Sequence, residues 1–131
     1  MKTFIKTTTQ ILAASVGLAV TAGLALAADT EIANPHDEMN KHFAIASERY
    51  GNEVHLHSRQ DGPDGSRNKV YTFNCVERMY NEVFDGDSAP ANFPVDPDGS
   101  SSEPIESNST AAALAAHACK QYGVPLVGIE W

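Results

Sequence analysis

The chain has 131 residues, with 9 Lys and Arg against 17 Asp and Glu and a formal net charge of −8. That length fits one folded domain and leaves no room for two. A field of that sign repels phosphate backbones and anionic headgroups, which excludes nucleic acid and lipid surfaces as expected partners and leaves basic proteins, cationic peptides and cations.

Lys2 and Lys6 precede an uncharged run from Ile11 to Leu26, and Ala25-Leu26-Ala27 puts small residues at the last and third-last positions. This is the pattern of an export signal cleaved after Ala27. A retained anchor is the competing reading, because the uncharged stretch from Thr7 to Ala28 is long enough to span a bilayer. Its Ala, Gly and Thr content, and the absence of basic stop-transfer residues after it, favour cleavage. The expected product, residues 28–131, is a single acidic domain of 104 residues carrying 7 Lys and Arg against 17 Asp and Glu, a net charge of −10. It is expected in the periplasm or secreted, without membrane insertion after cleavage. The signal is bacterial in style, and a eukaryotic secretory route stays open.

Asn34-Pro35 suits a helix start, and Met39, Phe43, Ala46 and Tyr50 recur at helical spacing before Gly51, so the spacing predicts a helix over 35–50. Glu53 to Arg59 alternates polar and apolar residues, predicting a half-buried strand with Val54 and Leu56 on one face and His55 and His57 on the other. Asp61 to Gly65 is rich in turn residues, and Val70 to Phe73 is β-branched and aromatic, which together predict a hairpin with a long connection. Cys75, Val76, Met79, Tyr80, Val83 and Phe84 pair at intervals of four behind an Asn74/Glu77 capping signal, predicting a helix over 75–84. One long strand is the competing reading there, because the β propensity of the segment is also high.

Asp85 to Asn108 holds four prolines and many Ser, Asp and Gly residues, and reads as an acidic loop of 24 residues. Loops of that length inside a compact domain are usually functional or disordered. Ser109 or Thr110 can cap an alanine-rich helix with Leu114, Ala115, Ala118, Cys119 and Tyr122 as its apolar stripe, stopped by Gly123 and Pro125. Leu126, Val127 and Ile129 predict a closing strand. The expected fold class is α+β: about three helices packed on a three-stranded sheet, in the order α-β-β-α-loop-α-β. Cys75 and Cys119 are the only cysteines, and an even count in an exported chain predicts a disulfide, here one that staples two helices.

Chemistry-bearing patterns are sparse. His55 and His57 are alternate strand residues that can reach one metal ion, with a third ligand needed from Glu53, His36, His42 or His117. Asp85, Asp87, Asp96, Asp98 and Glu103 offer oxygen ligands of the kind calcium takes, but neither cluster has the spacing of a calcium-binding loop, so solvated turns are expected. The chain contains no Gly-x-Ser-x-Gly, His-Glu-x-x-His or glycine-rich phosphate loop. Neither a cofactor nor catalysis is expected. Asn108-Ser109-Thr110 matches a glycosylation acceptor, meaningful only in a eukaryotic secretory host. The expected function is that of an exported, non-enzymatic binding protein. Its acidic surface and long loop, through Asp85, Asp87, Asp96, Asp98 and Glu103, would engage another protein, a basic one, as an inhibitor or immunity-type protein does. The alternative is a periplasmic metal-binding module using His55 and His57.

Overall fold

The computed structural model describes residues 29–95 and 102–131, so the export signal over 1–27 and the carboxylates Asp96 and Asp98 lie outside the described residues. Six antiparallel strands form one sheet in chain order: β1 Thr30–Ile32, β2 Lys41–Tyr50, β3 Glu53–Gly62, β4 Gly65–Asn74, β5 Met79–Gly86 and β6 Glu103–Pro104. A single described helix, α1 Thr110–Gln121, packs on one face. This replaces the expected three helices on a three-stranded sheet with one helix on a six-stranded meander. No helix among the described residues is long and apolar enough to cross a membrane.

The expected helix over 35–50 is a turn followed by β2. Asn34 Oδ1 accepts from the His36 N–H, and Asp37 Oδ1 accepts from the Met39 and Asn40 N–H groups, so side chains satisfy donors that a helix would use. Within β2 the register slips between Ala44 and Ala46, leaving Ile45 as an extra residue. That bulge breaks the period of two and leaves a spacing that resembles a helix.

The expected helix over 75–84 fails for a related reason. Asn74 Oδ1 does accept from the Glu77 N–H, as a cap would, but Arg78 N–H then bonds Asn74 O at 2.8 Å and Arg78 sits at φ 58°, closing a turn. β5 follows, and Val83 is the extra residue of a second irregularity, because Val70 opposes Phe84 while Tyr71 opposes Glu82. The high β propensity of Tyr80, Val83 and Phe84 prevails over their four-residue spacing.

The hairpin between β3 and β4 is tight: Gly62 opposes Gly65, with only Pro63 and Asp64 between them in place of the long connection expected. The acidic stretch 85–108 is not wholly loop, since β5 runs to Gly86 and β6 pairs Glu103 with Tyr80. Leu126 is buried, but residues 124–131 form no strand and Val127 is exposed, so the closing strand is also absent.

The helix read from the alanine-rich segment is present. Ser109 Oγ accepts from Ala112 N–H at 3.1 Å, and at the other end Gly123 takes a positive φ while the Val124 N–H bonds Cys119 O. Its Leu114, Ala115 and Ala118 join Val54, Leu56, Tyr71, Phe73 and Ile105 in one core. Cys75 and Cys119 form a disulfide with a Cα–Cα distance of 5.9 Å, tying the turn after β4 to the last turns of α1 instead of linking two helices. Closing that loop is worth about 4 kcal/mol on a chain-entropy argument. The opposite face of the sheet is buried too. His57, Val70 and Thr72 are all buried there, and Phe93, from the segment after β5, lies against His57 with ring centroids 6.3 Å apart. β3 is therefore buried on both faces between Val54 and Ser58, not half-buried.

Candidate functional site

The helix-bearing face of the sheet is longer than α1 can cover. Beyond the helix N-terminus, β4, β5 and β6 leave a groove of about 670 Å³. Its side chains follow from the register: Tyr71 opposes Glu82 across β4 and β5, and Tyr80 opposes Glu103 across β5 and β6. Residues 80 and 82 share a face because strand side chains alternate. Both tyrosines and both carboxylates therefore come to one groove, where Lys69, Asp37 and Thr110 complete the wall. Tyr71 and Tyr80 have ring centroids 6.4 Å apart, and the Tyr71 ring stacks on Phe73 at 5.5 Å, which anchors the aromatic floor in the core.

The groove is electronegative. Lys69 Nζ lies 3.4 Å from Glu82 Oε1, while Glu103, and Glu106 on the adjoining rim with Tyr80, have no cationic partner among the described residues. Asp37 Oδ2 is 2.8 Å from His42 Nε2, and the bonds from His42 and Asn40 hold its carboxyl below the ordinary carboxylate range. Burial, then Glu82, pushes the Tyr71 phenol above its usual value, and burial followed by Glu103, Glu82 and Glu106 does the same to Tyr80. The N-terminus of α1 supplies about half a positive charge, less than the carboxylates supply of the opposite sign. Elsewhere the Lys and Arg side chains of the described residues are occupied, except Lys120 near the C-terminal end of α1. Lys41 pairs with Glu31, Arg59 with Asp29 and Asp61, and Arg67 with Asp85 and Asp87, while Arg49 and Arg78 donate to backbone carbonyls.

Of the five carboxylates read as a partner-binding loop, Asp85 and Asp87 are held by Arg67 at 2.7 Å each, and Asp96 and Asp98 lie outside the described residues. Of the three that are described, Glu103 alone lines the groove. No sequence pattern marks Tyr71, Tyr80, Lys69 and Glu82 as a site, because only the β4–β5 register brings them together and the segment holding Tyr80 and Glu82 reads as helix.

His55 and His57 share the face away from α1, as their spacing requires, but they are buried and differently engaged. His57 Nε2 bonds Asn68 Oδ1 at 2.8 Å. His55 Nε2 is 3.6 Å from Glu53 Oε1, its ring meets Tyr50 edge-on at 5.0 Å, and its Nδ1 has no partner. His42, a suggested third ligand, is bound to Asp37 instead. Among the described residues no three His, Cys, Asp or Glu side chains converge as a metal site would need. Comparison with known proteins finds no matching family model, no similar curated protein and no similar solved structure.

Proposed function

We propose that this is an exported, non-enzymatic binding protein, acting in the periplasm or outside the cell, whose acidic groove face engages a basic partner protein in the manner of an inhibitor or immunity-type protein. The observation that carries the reading is the groove itself: Tyr71 and Tyr80 as an aromatic floor, with Glu82 and Glu103 directly opposed to them across the strands. Aromatic side chains among mostly negative charge suit a binding surface, giving apolar contact area and orientation at once. The surplus negative charge has few internal cations left to neutralise it, which further supports a basic partner.

Binding accounts for the groove better than acid–base chemistry does. Asp37 is shifted down and both phenols are shifted up, so each of these groups is moved away from neutrality, whereas a catalytic acid or base works best with a pKa near the operating pH. The test is to immobilise the disulfide-bonded protein recovered after export, pass periplasmic and culture-medium proteins over it, and measure the affinity of what is retained against salt. A basic protein whose affinity falls steeply as salt rises supports the proposal. Retention that ignores salt, or retention of acidic proteins alone, overturns it.

A further inference from the structure

We infer that the groove is a subsite for one arginine side chain of the basic partner, with the Tyr71 hydroxyl oxygen as an acceptor at its floor, Glu82 and Glu103 as its anionic walls, and Lys69 as a resident cation that the guanidinium displaces. This rests on the binding role proposed above and specifies the chemistry that the groove recognises.

Three independent features point to it. Tyr71 is only 7% exposed and lines the groove, yet its hydroxyl has no hydrogen-bond partner among the described residues. That oxygen is not one of the fully enclosed unpaired polar atoms, so it is reached from the groove and is open to accept a hydrogen bond there, as the polar tip of a largely buried phenol usually does. Second, the groove already holds a cation. Lys69 is pulled in until its side chain is 24% exposed, but at 3.4 Å from Glu82 it is an ion pair beyond ideal hydrogen-bond distance. Such a contact marks where a cation is favoured and is weak enough to exchange.

The third feature is shape. Acceptors of two kinds, carboxylate and phenol, line the groove together with the two tyrosine rings. Tyr80 is half-buried, leaving part of its ring open to the groove. A guanidinium matches this arrangement, since it is planar, carries five donors in a fixed fork, pairs bidentately with carboxylates and stacks on aromatic rings. An ammonium is a compact point charge that would compete with Lys69 but has no planar fork to pair with a carboxylate and stack on a ring at once. The volume of about 670 Å³ lies in the usual range for ligand pockets and admits an arginine together with its flanking backbone.

The test uses the disulfide-bonded protein, labelled for amide NMR and titrated with acetyl-Gly-Arg-Gly-amide, its lysine counterpart and its uncharged citrulline counterpart. The arginine peptide should give saturable shifts confined to residues around 69–71, 80–82 and 103, at least fivefold tighter than lysine, with no saturation by citrulline. Tyr71→Phe, which keeps the ring and so the fold, should weaken the arginine peptide three- to tenfold. Lys69→Gln should tighten it about threefold by freeing Glu82. Shifts spread evenly over the acidic surface, citrulline binding equal to arginine, or a Tyr71→Phe affinity equal to wild type would each overturn the subsite. If the subsite fails while a basic partner is still retained in a salt-dependent way, the binding role stands without it. If the peptide binds but no partner is retained, the subsite stands and the protein-partner reading falls.

Discussion

Tyr71 and Glu82 are directly opposed across β4 and β5, so a carboxylate stands beside a buried phenol with only the irregularity at Val83 separating this pair from Val70 and Phe84. Burial and that carboxylate both disfavour phenolate. The folded pKa of Tyr71 is thus raised above its unfolded value of about 10. Its contribution to stability is fully present below that pH and is lost as pH rises above it. Urea midpoints should be flat from pH 8 to about 10 and fall beyond, and Tyr71→Phe should fall less. Equal alkaline loss in both proteins would contradict this.

Asp37 gives the opposite dependence. Its bonds to His42 and Asn40 lower its folded pKa below the ordinary value of 3.8, so its stabilisation is present above that value and is lost as pH falls through the folded pKa. Chemical unfolding at pH 6 and pH 3 should show a smaller acid loss for Asp37→Asn than for wild type. Identical losses would mean that the Asp37–His42 contact does not persist in solution.

Gly62 opposes Gly65 at the β3–β4 hairpin, and a Cβ at position 62 would run into the Asn40 side chain. Asn40 in turn donates to both oxygens of Asp37. Gly62→Ala should therefore cost about 1–3 kcal/mol, as overpacking typically does, and should displace the amide signals of Asp37 and His42. Gly65 has open space at the same point but a φ of 110°, so Gly65→Ala tests backbone strain without that clash.

Removing the disulfide by Cys75→Ala with Cys119→Ala should lower stability by about 2–5 kcal/mol in urea unfolding, because both sulfurs sit in the core and the bridge closes a long loop. A loss below 1 kcal/mol would show that the contacts of Leu114 and Ile105 hold α1 on the sheet unaided.

The elements legible in the sequence are those whose local signal agrees with their surroundings. Val54, Leu56 and the two histidines alternate without interruption, so β3 is readable, and Ser109 with its alanine-rich stripe marks α1. The strands β2 and β5 read as helices for different reasons: Ile45 turns a period of two into a spacing of three and four, whereas the pairs four apart in β5 suit a strand as well as a helix. Asn74 with Glu77 is a genuine capping geometry put to use in a turn. The candidate groove is hidden as well. Glu103 is visible as an acidic residue, but its neighbour Tyr80, and the pair Tyr71 and Glu82, become neighbours only through cross-strand register, which depends on β5, whose pattern reads as a helix, and on β6, whose pattern reads as loop.

If the groove carboxylates attract a basic partner, neutralising them should weaken its binding. The most direct measurement compares the affinity of the retained partner for wild type and for Glu82→Gln with Glu103→Gln, from low to high salt, with Asp64→Asn in the exposed hairpin as the control. The double variant should lose at least tenfold at low salt and show a shallower salt dependence, while Asp64→Asn behaves as wild type. Equal affinity and equal salt dependence in all three proteins would contradict it.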